Sequence, residues 1–183
     1  LIVQEVYVFM SNNMLFSLKP DAEAMKVFHD WWEELKDRKG DRAGLRRART
    51  TLEVVLQPAF VDLLRSLEEQ QGTRINSDWQ IQRLALIAGV LSGMEQGSDN
   101  TMAQLMAKPR SGGDMPCVSP QRFRRLLVIQ DPEELLISWK RTLRILDNKA
   151  NISDLVYRLF WWNDRTRREM ALEYYRQNSA AAA

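Results

Sequence analysis

The 183 residues suffice for one compact domain or two small helical lobes, and 45% hydrophobic beside 27% charged residues is the balance of an ordinary soluble globular chain. A single cysteine, Cys117, excludes an intramolecular disulfide framework and fits a reducing cytoplasm, while no apolar run approaches the roughly 20 residues that span a bilayer. The net charge of +2 excludes nothing by itself, but residues 1–35 carry −4, 36–50 carry +5, 51–118 carry −3 and 119–177 carry +4, so two basic zones alternate with acidic ones.

The opening LIVQEVYVF is short and has no basic flank before it, so it does not read as a signal peptide. Residues 1–18 are set aside as an N-terminal extension, with Met10 or Met14 as alternative starts, and 178–183 as a C-terminal tail. From Asp21 to Arg38, Ala24, Phe28, Trp31, Trp32 and Leu35 keep the spacing of one buried helical stripe. The basic stretch KDRKGDRAGLRRAR follows, and Gly40 and Gly44 predict a loop with one frayed turn there. Pro58 opens a helix through Gln70 with Phe60, Leu63, Leu64 and Leu67 inward. Asp78 is the expected N-cap of a helix to about Ser92 that is apolar all round and belongs at the centre of the core.

A short helix at Thr101–Ala107 leads into KPRSGGDMP, and the stretch near 108–118 is the candidate boundary between two lobes of a domain spanning 19–177. Ser119-Pro120 and Asp131-Pro132 each read as an N-cap followed by a first-turn proline, and Glu134 is placed to close a capping box. Ser153 starts a further helix through LVYRLFWW, and Asp164 caps the last one. No strand pattern and no internal repeat stand out, so the fold class is all-α, a multi-helix bundle.

Catalytic constellations are missing from this pattern. His29 is the only histidine, which leaves neither zinc nor di-iron spacing, and Cys117 has no histidine near it in sequence. There is no Walker-type phosphate loop, and Glu133 and Glu134 belong to a helix's first turn, where the macrodipole favours them. The expectation is a non-enzymatic protein with no cofactor and no metal. The tryptophans fall mainly on core stripes.

The positive signal is arginine, which supplies 19 of the 26 basic side chains and forks well onto phosphate. In the helix after Pro120, Arg122 and Arg125 flank the stripe of Phe123, Leu126 and Leu127, with Arg124 pointing away. In the next, Lys140, Arg141 and Arg144 lie opposite Leu135, Leu136, Trp139, Leu143 and Leu146. Arg165, Arg167 and Arg168 begin the last helix, and Arg42, Arg46, Arg47 and Arg49 form the earlier zone. Together these cations are expected to line a groove that follows a phosphate backbone without reading bases.

The order LRRA at 45–48, PAF at 58–60, SPQRFRRLL at 119–127, WKRTLRIL at 139–146 and LFWWNDRTRREMALEYY at 159–175 resembles the CasB family, the small subunit of the type I-E CRISPR surveillance complex Cascade. The resemblance covers roughly residues 20–177. It implies an all-helical, non-catalytic subunit whose partners are the crRNA-containing Cascade subunits, a second copy of itself, and single- and double-stranded nucleic acid held through the backbone, with no membrane. Such a subunit helps hold target and displaced strands when an R-loop opens. The matching basic positions are Arg46, Arg47, Arg122, Arg125, Arg141, Arg144, Arg165 and Arg167, with Lys140 and Arg49 beside them. Two other classes fit the same residues: a helix-turn-helix regulator built on 119–130 and 132–146, and a structural adaptor whose arginines pair with acidic partner surfaces.

Overall fold

Short polar residues and prolines set where the helices begin. The computed structural model describes residues 23–109 and 113–181, with helices α1 (Ala24–Asp37), α2 (Lys39–Arg47), α3 (Thr51–Val55), α4 (Pro58–Gln71) and α5 (Asp78–Leu91) in the first half. The second half holds α6 (Met102–Ala107), α7 (Pro120–Leu127), α8 (Pro132–Ile145), α9 (Ile152–Phe160) and α10 (Asp164–Ala181). The extension 1–18, the helix start at Asp21, positions 110–112 and the last two residues of the tail lie outside the described residues.

Prolines stand at the starts of α4, α7 and α8, where their missing N–H costs no helical bond. Asp131 Oδ1 accepts from the amides of Glu133 and Glu134 at 3.1 and 2.8 Å, and Ser119 Oγ accepts from Arg122 N at 3.5 Å. The reciprocal capping box forms at Thr101 and Gln104 instead of at Glu134. Three predicted starts shift. Ser77, Asn151 and Asn163 take the flanking positions expected of Asp78, Ser153 and Asp164. The side-chain Oδ1 atoms of Asn151 and Asn163 accept from the amides of Asp154 and Thr166 at 3.0 and 3.1 Å, which an asparagine does as well as a serine. The all-α class holds. Besides helices, the described residues carry one parallel pairing that the sequence pattern did not indicate, β1 (Gln96–Gly97) with β2 (Lys149–Ala150).

Within the basic stretch 36–49, Lys39–Arg47 form helix α2 where a loop is expected. Arg38 pairs with Asp41 and Asp62 at 2.7 Å each, Leu45 is fully buried, and Arg42 donates to the carbonyls of Ser92 and Met94 at 3.0 and 2.7 Å. These tertiary ties offset the helix cost of two glycines, about 1 kcal/mol each.

The apolar-all-round helix α5 sits at the centre, with Leu84 through Leu91 buried without interruption. Gly89 lets its neighbours close in: a Cβ there would stand 2.7 Å from Leu136 of α8 and 3.1 Å from Val54 of α3. Trp31, Trp32, Trp139 and Trp162 are buried, while Trp79 and Trp161 are half-buried against Phe160. Trp31 and Trp162 donate to the carbonyls of Ala59 and Ile129 at 2.8 Å, so their polar edges are satisfied inside the core.

The 108–118 stretch is tied to what flanks it. Val118 N donates to Met106 O at 3.0 Å, Tyr174 Oη donates to Val118 O at 2.6 Å, and Tyr174 stacks on Phe123 at 3.9 Å. Buried side chains from both sides of the stretch join one cluster. At the α6–α9–α10 junction a nearly buried Arg158 (8% exposed) bonds Asp154, Glu169 and Glu173 at 3.1, 3.4 and 3.3 Å.

Candidate nucleic-acid interface

Helix α8 presents one stripe at helical spacing, the polar Glu134, Ser138 and Arg141 followed by Ile145, and this face meets α7 across an open cleft of about 530 Å³. Arg122 and Arg125 of α7 and Arg141 of α8 line that cleft, over a floor that includes Leu126, Ile129 and Ile145. A second, smaller cleft on the other side of α8 is lined by Arg144 and Lys140 together with Arg46 of α2, Ser92, Gly93 and Asn148. Arg141 and Arg144 are three residues apart and therefore neighbours on the helix surface. Cations from α2, α7 and α8 thus meet at α8.

Among the described residues, Arg47, Arg122, Arg125, Arg141 and Arg144 form no ion pair, and all five are exposed. Arg46 is 44% exposed and reaches Glu95 only at 3.7 Å. Four guanidinium groups flank the two clefts without an ion-pair partner, and although Glu134 also lines the larger one, the balance there is positive, which attracts and orients polyanions.

The other expected cations are placed differently. Lys140 is partly buried, and its ammonium donates to the carbonyls of Leu45, Arg46 and Ala48 at 2.9, 3.3 and 2.6 Å. Burial and the neighbouring Arg144 push its pKa down to about 8, against a pull upward from Glu53. All three of its donors face protein, so Lys140 is engaged within the fold. Arg42 is likewise turned inward. Arg165, 81% exposed, pairs with Glu169 at 3.0 Å. Arg167, 16% exposed, bonds Asp164 and donates to Leu127 O at 3.0 Å, which fastens α10 to the end of α7. Arg165 and Arg167 therefore do not join the cations at α8 as free charges.

Several contributors were not picked out from sequence. Gln130 and Ser138 supply polar lining to the larger cleft. Glu133, read as a first-turn acid, reaches across to Thr51: Oε2 accepts from the amide and Oε1 from the hydroxyl, both at 2.6 Å. Ser138 was signalled by its place on the Glu134–Arg141 stripe, whereas the Thr51 contact joins residues 82 apart in the chain and leaves no local trace. His29 is exposed on α1 and lies 3.4 Å from Ser153 Oγ, and Cys117 is half-buried. Among the described residues no group of three or more His, Cys, Asp and Glu is arranged to hold a metal ion, and no helix is long and apolar enough to cross a membrane.

Residues 41–175 match the family model described as CRISPR-associated protein Cse2. Among solved structures, a chain from the crystal structure of E. coli Cascade bound to a PAM-containing dsDNA target superposes with a TM-score of 0.64 at 18% identity. The superposition covers 87% of this chain and 99% of that one, and at this identity it speaks to the shared fold. Comparison with curated proteins finds no match.

Proposed function

The chain belongs to the Cse2 family of CRISPR-associated proteins, and from that premise we propose that it is a non-catalytic small subunit of a Cascade-type complex that grips nucleic-acid backbone without reading sequence. The observation that carries this reading is the meeting of arginines at α8: Arg122, Arg125 and Arg141 on one cleft and Arg144 on the other, all without an ion pair, with Arg46 beside Arg144 reaching Glu95 only at 3.7 Å. The likeness of fold to a chain of the DNA-bound E. coli complex supports the same assignment.

Opening a duplex against an RNA guide is a nearly balanced exchange, so backbone contacts tip it without needing to be strong. Arg122, Arg125 and Arg141 fork onto phosphates of one stretch of strand, and Arg144, Arg46 and Arg47 continue the contact. Neither cleft lining includes an aromatic side chain, so base stacking contributes little to the grip. The partners are crRNA-bearing subunits, a second copy of the chain, and target or displaced strand. The helix-turn-helix alternative requires the N-terminal end of α8 to enter a groove, but Glu133 there is bonded to Thr51.

The test is fluorescence anisotropy of the isolated chain with two single-stranded DNAs of unrelated sequence over a range of salt. Equal affinities are expected, with log affinity falling against log salt at a slope of roughly −3 to −5, about −0.7 for each of four to six phosphates. A strong preference for one sequence, or a flat salt response, contradicts the reading. Purification of the tagged chain from its host should also bring down an assembly containing a CRISPR guide RNA.

A further inference from the structure

The last turn of α2 carries Arg46 and Arg47 and the connection to α3 carries Arg49, and this segment is held from one side by a single helix. Glu133 and Lys140 are seven residues apart on α8, two turns along one face and about 10 Å by the helical rise. Each meets the end of a helix that its charge suits. The Glu133 carboxylate takes the amide and hydroxyl of Thr51 at the start of α3, both at 2.6 Å. The Lys140 ammonium takes the carbonyls of Leu45, Arg46 and Ala48 around the end of α2, at 2.6 to 3.3 Å. Acid on free amides and base on free carbonyls is the favourable pairing at both helix ends. Between the two grips the chain's own bonds are all local: Ala48 N donates to Gly44 O at 3.1 Å, Arg49 N to Glu53 Oε2 at 2.7 Å, and Thr50 Oγ1 accepts from Glu53 N at 3.1 Å.

We propose that Glu133 and Lys140 are positioning residues, a two-point clamp by which α8 sets the α2–α3 connection so that Arg46 and Arg47 continue the cation surface begun by its own Arg141 and Arg144. Lys140 belongs to the binding surface through the arginines it places and does not itself contact phosphate. The inference rests on the strand-holding reading above. It also explains the otherwise wasteful burial of an ammonium group: the clamp fixes arginines whose side chains then lose less freedom when a strand arrives. The charged groups facing Lys140 are Arg144 on its own helix, Arg46 across the smaller cleft and Glu53 of α3.

The test combines amide hydrogen exchange with a double-mutant cycle on the full chain. Lys140→Met should raise exchange at Ala48, Arg49 and Thr51 by about tenfold or more, leave α10 unchanged, and weaken single-stranded DNA binding several-fold. In an Arg46→Gln/Arg47→Gln background, Lys140→Met should have no further effect on affinity, because the groups it places are gone. An additive loss in that background, with exchange at 48–51 unchanged, makes Lys140 a phosphate ligand and overturns the proposal. Should that variant fail to fold, Glu133→Ala releases the other grip: exchange at Arg49 and Thr51 should rise several-fold, and unchanged exchange at 48–51 refutes the clamp. Exchange reports on the clamp whether or not a strand binds, so a chain that binds no DNA at any salt refutes the strand-holding reading and leaves the exchange result to stand by itself.

Discussion

Two sets of arginines in the C-terminal third have the same side chain and opposite fates. Arg122, Arg125, Arg141 and Arg144 of α7 and α8 stand exposed at clefts with no carboxylate partner among the described residues. Arg158, Arg165 and Arg167 of α9 and α10 are matched by Asp154, Glu169, Glu173 and Asp164. The difference lies in what sits one helical turn away. Asp154 and Arg158, Asp164 and Arg167, and Arg165 and Glu169 are all spaced three or four residues apart, as helix neighbours are. Arg122, Arg125 and Arg141 have no acidic residue three or four places to either side, and Arg144 has only Asp147, which lies beyond the helix at φ 53°. Among these arginines an acid one helical turn away goes with a place in the fold, and its absence with a free charge at a cleft.

The comparison is broken most severely at Arg158. Replacing it with methionine strands Asp154 and Glu173 in a partly buried site, and urea unfolding should show a loss of about 3–5 kcal/mol. A loss near zero would place Arg158 with the surface set. Asp131→Ala removes the cap of α8 and should cost about 1 kcal/mol in the same assay. Lys140 gives a pH signature of the opposite sign from an ordinary salt bridge. Its pKa is about 8 in the fold against 10.5 in the open chain, so between those values the unfolded state binds more protons, and stability gains with rising pH. Lys140→Met should abolish that rise in unfolding curves taken from pH 8 to 10.5. Smallest of all, Arg165→Gln removes an exposed pair and should change stability by less than about 0.5 kcal/mol, with strand affinity nearly unaltered.

Much of this was legible before any coordinates. The helical class followed from stripes such as Phe28, Trp31 and Leu35, and the central place of α5 from its lack of a polar face. Proline and the small polar residues marked several helix starts to within two positions. The α2 helix was misread because propensity counts its two glycines, whereas the ties from Arg38 to Asp62 and from Arg42 to Ser92 are tertiary. Within the site, the outward direction of Arg122, Arg125, Arg141 and Arg144 came from helical geometry. The neutralisation of Arg165 and Arg167 lies in the same spacing, with Glu169 four residues after the first and Asp164 three before the second. Lys140 differs in kind: its carbonyl acceptors are more than 90 residues distant in the chain, and nothing local distinguishes it from Arg141.

The most direct test is the salt dependence of single-stranded DNA binding measured side by side for the chain and its Arg122→Gln/Arg125→Gln/Arg141→Gln/Arg144→Gln variant. With four phosphate contacts removed at about 0.7 each, the log–log slope should flatten by roughly 3 while the fold stays intact by circular dichroism. A variant that keeps the full slope would show that the strand is held elsewhere, and the arginines meeting at α8 would have to serve some other partner.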